Sequence, residues 1–246
     1  MFSLKVPTFS VIFFLTASCR YALLPAQTLG GVAGLVRAPS AEIMRDGTFY
    51  LGASFLPKEI LDYTGHQRDG LVVFSSLTFL PFLEFNLRLT RQLNLPQEAT
   101  HTVDRSPGLR LRLLRQSQTL PSLVLGFHDL FSTVDQGQAR HFAATYLVIT
   151  RRFEARQFYL SPTVGYSHPL YANRRSEFEG VFGGFKVQPK SIAAAALLEY
   201  LNQSINLGID LRPTRWAQLK VALLDGRYIS CNVVLHFNLS AVFKNW

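Results

Sequence analysis

The residues of this chain that could do chemistry are charged side chains set among apolar ones at every second position. Glu84 and Arg88, Arg110 and Arg112, and Asp210 and Arg212 each lie an even number of residues apart, and Lys186, Glu199 and Lys220 stand in similar surroundings. That spacing places each set on one face of an extended strand. A face carrying Arg88, Arg110, Arg112, Lys186, Arg212 and Lys220 is suited to an acidic polysaccharide, held by charge-assisted hydrogen bonds. The same cations can instead pair with Glu84, Glu199 and Asp210 as structural salt bridges.

Other chemistry finds less support. A hydrolase needs a nucleophile, a histidine and an orienting group within hydrogen-bond reach. His66, His101, His128, His141, His168 and His236 are scattered, and no Gly-x-Ser-x-Gly motif is present. His128 and Asp129 are adjacent, but neighbours on a strand point to opposite faces. No His or acidic pair has metal-ligand spacing. The chain is read as a non-enzyme with no catalytic residues, no metal and no cofactor. Its formal charge of +9 favours anionic partners without choosing one, and nucleic acid is not among those expected.

The elements that must position these charges are strands. Ile205-Asn206-Leu207-Gly208-Ile209-Asp210-Leu211-Arg212 alternates without error, as do the segments from Leu83 to Leu89 and from Leu109 to Leu113. Strands bounded by turn residues are predicted near 47–56, 70–79, 82–90, 107–115, 121–129, 139–152, 156–167, 179–187, 191–200, 204–212, 215–224 and 227–239. Short connections such as Leu80-Pro81 and Pro213-Thr214 alternate with longer polar stretches at 57–69, 91–106, 130–138 and 168–178. Short turns at one end and long loops at the other describe an outer-membrane barrel with an even number of strands. The fold class is therefore all-β, an antiparallel transmembrane β-barrel of about 12 strands.

Energy sets the register. A Lys or Arg turned to mid-bilayer lipid costs ~2–4 kcal/mol, and six of them would exceed the ~5–15 kcal/mol stability of a typical domain. The basic residues must face inward, giving a polar, net positive lumen. A soluble sandwich shows the same alternation with core and solvent exchanged. Phe79, Phe82, Phe153, Phe158 and Trp216 beside the short turns resemble the aromatic girdle of a membrane interface. Ala193 to Glu199 favours helix by composition, yet the strand count is even only if it pairs. The stretch from Phe142 to Thr150 is apolar on both faces and gives no register.

The ends add two signals. Lys5, a mostly apolar run through Ala17, and Leu24-Pro25-Ala26 have the parts of a secretory signal peptide, predicted to be cut after Ala26. Cys19 gives a weaker lipoprotein alternative. Removal of Lys5 and Arg20 lowers the formal charge from +9 to +7 and leaves Cys231 as the single cysteine. Ser230, Asn232, Leu235 and Phe237 approximate the terminal-strand pattern read by barrel-assembly machinery, and Trp246 ends the chain on an aromatic. The predicted domains are a signal peptide at 1–26, an N-terminal segment at 27–46 and a barrel at 47–246. The middle segment, with Arg37, Pro39 and Ser40, is either a periplasmic lead-in or a plug, Arg37 then reaching wall acids such as Glu84.

Gly34-Leu35-Val36-Arg37-Ala38-Pro39-Ser40-Ala41, followed by Met44-Arg45-Asp46-Gly47-Thr48, resembles the N-terminal signature of the YjbH family, outer-membrane proteins encoded with exopolysaccharide and capsule genes. Gly126-Phe127-His128-Asp129-Leu130, Tyr146-Leu147-Val148 with Arg152-Phe153, Gly184-Phe185-Lys186, Asn206-Leu207-Gly208 with Arg212-Pro213, and Leu224 to Ser230 extend the likeness. Larger members contain more than one such unit, and this chain has length for one. The resemblance implies a barrel in the outer membrane of a Gram-negative bacterium, assisting exopolysaccharide or capsule synthesis or export. Expected partners are outer-membrane lipid, barrel-assembly machinery, an acidic polysaccharide and other polysaccharide-export proteins. The alternatives are a structural or small-solute barrel and a secreted carbohydrate-binding β-sandwich.

Overall fold

A computed structural model describes residues 25–63, 66–94, 103–130, 143–170 and 178–239. Most of the signal-peptide prediction, with Cys19, therefore lies outside the described residues, as do His101, His141, Phe142 and Trp246. Twelve long strands follow in chain order: β1 Thr48–Leu56, β2 Gly70–Thr78, β3 Leu83–Gln92, β4 Val103–Leu114, β5 Ser122–His128, β6 Ala144–Thr150, β7 Phe158–Pro169, β8 Gly180–Pro189, β9 Ala194–Leu201, β10 Ser204–Leu211, β11 Ala217–Leu224 and β12 Tyr228–Asn238. Each pairs antiparallel with its neighbours in sequence, and β12 pairs with β1 from Thr48↔Asn238 to Phe55↔Cys231, which closes the cylinder. Closure removes the unpaired edges that an open sheet must protect. Phe153–Glu154 adds a short pairing to β7, and Asp62–Tyr63 with His66–Gln67 forms a small separate ribbon.

The alternation seen in the sequence becomes two surfaces. On β10, Asn206, Gly208 and Asp210 are buried, while Ile205, Leu207, Ile209 and Leu211 are exposed. Leu51, Leu71, Phe85, Leu87, Leu147, Val164, Leu198, Val221 and Val233 carry the exposed apolar surface round the cylinder. Phe79, Phe82, Phe153, Phe158 and Trp216 are all exposed beside the short turns. No helix of the described residues is long and apolar enough to cross a membrane. The alanine-rich segment is strand β9, paired with β10 from Ala194↔Leu211 to Leu201↔Ser204.

Three inward glycines face an aromatic residue directly across a strand pair: Gly52 opposite Phe74, Gly126 opposite Tyr146 and Gly165 opposite Phe182. A Cβ at these glycines would meet the rings at 2.4, 2.1 and 2.3 Å. Each ring thus lies against the wall where a side chain would otherwise stand, and the middle of the lumen is left for another part of the chain.

Candidate functional site

That part is the segment before β1. Residues 25–44 are buried apart from the part-buried Gly30 and Glu42, although they form no regular element beyond two isolated bridges, Gln27↔Ala33 and Gly34↔Pro39. This part of the expected 27–46 segment, the plug segment, lies within the ring of strands as far as Met44, while Arg45 and Asp46 are exposed. It enters and leaves at the short-turn end: Pro25 lines a cavity with Gln116 and Ser122, and the amide of Gly47 donates to Thr78 O at 3.0 Å.

Irregular backbone inside a barrel must find partners for its own N–H and C=O groups. Some bonds are internal, such as Thr28 N to Val32 O at 2.7 Å, Leu29 N to Val36 O at 2.8 Å and Gly34 N to Ala26 O at 2.7 Å. The wall supplies the rest. Glu199 Oε2 accepts the consecutive amides of Val36, Arg37 and Ala38 at 2.8, 2.8 and 2.7 Å, and its Oε1 accepts Asn206 Nδ2 at 2.8 Å. Successive amides converging on one carboxylate form an anion nest, with the anion here supplied by the barrel. Lys220 Nζ does the converse, donating to the carbonyls of Gln27 and Leu35. Asn232 Nδ2 donates to Thr28 O, and Ser76 Oγ and Asn86 Nδ2 both donate to Gly31 O, at 3.0–3.1 Å.

Towards the short-turn mouth the plug is held by charge. Arg110 donates through Nη1 to Glu84 Oε1 at 2.9 Å, and through Nη2 to the carbonyls of Ser40 and, at 3.1 Å, Glu42. Tyr50 also donates its hydroxyl to Glu84, at 3.1 Å. Arg112 Nη2 donates to Ile43 O at 2.8 Å, and the amide of Ala41 donates to Thr150 Oγ1 at 2.8 Å. The Glu42 carboxylate bridges Lys186 Nζ and Arg152 Nη2, each at 2.5 Å. Burial pushes the Glu42 carboxyl up, but the charges of Lys186 and Arg152 more than offset it and hold the group at about 2.

Apolar contact completes the seat. Leu29, Leu35, Val36 and Met44 pack with Tyr50, Val72, Phe74, Leu197 and Val234 of the wall. Ala38, Ala41 and Ile43 pack with Val124, Tyr146, Val148, Phe182 and Leu201. The expected polar lumen is in part apolar. Strand β6 is apolar on both faces because one meets the outside and the other meets the plug.

The structure distributes the predicted site residues between wall and plug. Arg110 pairs with Glu84, and Arg212 lies 3.8 Å from Asp210. Glu199, Lys220 and Lys186 are drawn to the plug. Arg88 is buried, with Nη1 3.3 Å from where a Cβ on Gly30 would sit. Arg112 is half-buried. Arg37 meets the wall acid Glu199 through its amide, Pro39 forms the bridge to Gly34, and the carbonyl of Ser40 receives Arg110.

Sequence reasoning missed Glu42, Arg152, Thr150, Asn206 and Asn232. Only Glu42 left a signal, as the single acid between Gln27 and Arg45 in a segment facing a basic wall. What the arrangement does chemically is grip a stretch of main chain by its own polar atoms. A family model described as "YjbH: Exopolysaccharide biosynthesis protein YbjH" matches residues 26–191, from the start of the plug to just past β8. No curated protein matches the chain.

Proposed function

The chain belongs to the YjbH family of exopolysaccharide biosynthesis proteins, and from that premise we propose that it works without catalysis as an outer-membrane β-barrel in exopolysaccharide or capsule production and export. The observation that carries this reading is the closed cylinder with an apolar exterior and a lumen filled by its own N-terminal segment. Outward Leu, Ile, Val and Phe at alternate positions match a hydrocarbon surround, and the exposed aromatics at the short-turn end match the membrane interface. A 12-strand barrel is wider than the eight-strand type that side chains alone can fill. The plug occupies that width and closes the path at rest. Opening it gives an acidic glycan access to Arg88, Arg110, Lys186 and Lys220, which the plug covers.

The test is a deletion strain scored for surface polysaccharide, with the protein located by membrane fractionation. The expected result is outer-membrane protein extracted only by detergent, and loss of surface glycan restored by the intact gene. Normal glycan with altered small-solute permeability would favour a general solute barrel instead. Protein recovered soluble from the periplasm would overturn the membrane reading.

A further inference from the structure

Most inward-facing basic groups are committed to the plug or to a wall acid, but at the short-turn mouth the cations outnumber the acids beside them. A cavity of about 240 Å³ opens there between plug and wall, lined by Arg112, Arg115, Arg152, Gln116, Ser122 and Glu42 among others. It is smaller than the roughly 300–1,000 Å³ of pockets for drug-sized ligands, which suits one sugar residue rather than a length of chain.

Its charge is unbalanced. Three guanidiniums face one carboxylate, and Glu42 is already shared between Arg152 and Lys186. Arg112 gives its two terminal nitrogens to the neutral carbonyls of Pro81 and Ile43, at 2.7 and 2.8 Å, and makes no ion pair among the described residues. Its Nε is buried and has no hydrogen-bond partner among the described residues. Arg115 is exposed and makes no ion pair among them.

The cavity is also braced. Gln116 grips the main chain of Arg152 from both sides, accepting its amide at 2.7 Å and donating to its carbonyl at 2.9 Å. The amide of Gln116 is fixed in turn by Ser122 Oγ at 3.1 Å. The exposed guanidinium of Arg115 can offer a carboxylate or phosphate two parallel hydrogen bonds, with the charges of Arg112 and Arg152 beside it.

We propose that this mouth cavity binds the anionic substituent, carboxylate or phosphate, of a single sugar residue, and so receives an acidic glycan from the short-turn side before the plug moves. The identity of the ligand as a sugar rests on the exopolysaccharide reading above. Glu42 lines the cavity and is part of the plug, so a ligand drawing Arg152 towards itself weakens a contact that holds the plug's mouth end.

The test titrates the full chain in detergent, at low salt, with glucuronate, glucose 6-phosphate and glucose, followed by calorimetry. Saturable binding of at least one anionic sugar is expected, with none of glucose, and the tighter of the two identifies the substituent. Arg115→Gln, at a residue that makes no hydrogen bond or ion pair with the plug among the described residues, is expected to weaken binding at least tenfold. Lys190→Gln removes an equal charge at the same end, where Lys190 pairs with Glu154, and is expected to leave affinity unchanged. Absence of binding by both anionic sugars, equal binding of glucose, or equal losses in the two variants would overturn the site. These readouts use purified protein, so a deletion strain with normal surface glycan would count against the export role and not against them.

Discussion

Glu199 and Glu42 are two carboxylates of one lumen that hold the same segment in opposite ways. Glu199 belongs to the wall, is fully buried, and accepts main-chain amides of the plug. Glu42 belongs to the plug, is part-buried beside an open cavity, and is itself held by two wall cations. A buried carboxylate short of partners is costly, and without the three amides the Glu199 carboxylate keeps only Asn206 of the partners described above. Water can replace the partners of Glu42 at the mouth. The difference divides the plug into a deep end that locks and a mouth end that can yield first.

Glu199→Gln tests the lock and has the largest expected effect. Hydrogen bonds to a charged group are worth about 1.5–3 kcal/mol each, and breaking a buried charged contact typically costs about 3–5 kcal/mol in total. The amides of Val36, Arg37 and Ala38 are expected to lose most of their hydrogen-exchange protection, and planar-bilayer recordings should change from closed to intermittently conducting. Unchanged protection would mean that the apolar seat alone holds the plug.

How much of this was legible in the sequence follows from what leaves a periodic trace. An apolar exterior and charged groups on the inner face impose period two on most strands, so the segments around Glu84, Arg110 and Asp210 declare both their strands and their register. The turns at Leu80-Pro81 and Pro213-Thr214 announced themselves by proline. Even the run from Ala193 to Ala196, helical by composition, was decided by the need for an even strand count. The plug has no period, because its burial is satisfied bond by bond, and main-chain donors such as the amides of residues 36–38 have no residue type of their own to read. For that reason Glu199 and Lys220 could be placed on the inner face while their partners could not. The inner face of β6, apolar at Tyr146 and Val148, made sense only with Ala38 and Ala41 against it.

Glu42→Gln sharpens the contrast with a smaller effect, about 1–3 kcal/mol for a partly buried charged contact. Exchange should rise at Ala41 to Met44 and stay low at Val36 to Ala38. Equal rises at both ends would show that the plug moves as one rigid piece, and the division between lock and mouth would fall.

Acid probes the mouth without a mutation and gives the smallest effect at ordinary pH. Glu42 is held at about 2 in place, against 4.5 for the free group. A carboxyl lowered by docking favours the docked state fully above its free value and loses that contribution as pH falls through the held one. The window therefore runs from about 4.5 down to about 2, and the interval corresponds to a contribution on the order of 3 kcal/mol. Above pH 5 nothing should change. Below it, exchange and protease access at residues 41–44 should rise progressively in the native chain. In Glu42→Gln the same residues should already be loosened and should respond less to acid across that window. A variant that keeps the full acid response would transfer it to other groups and remove Glu42 from control of the mouth.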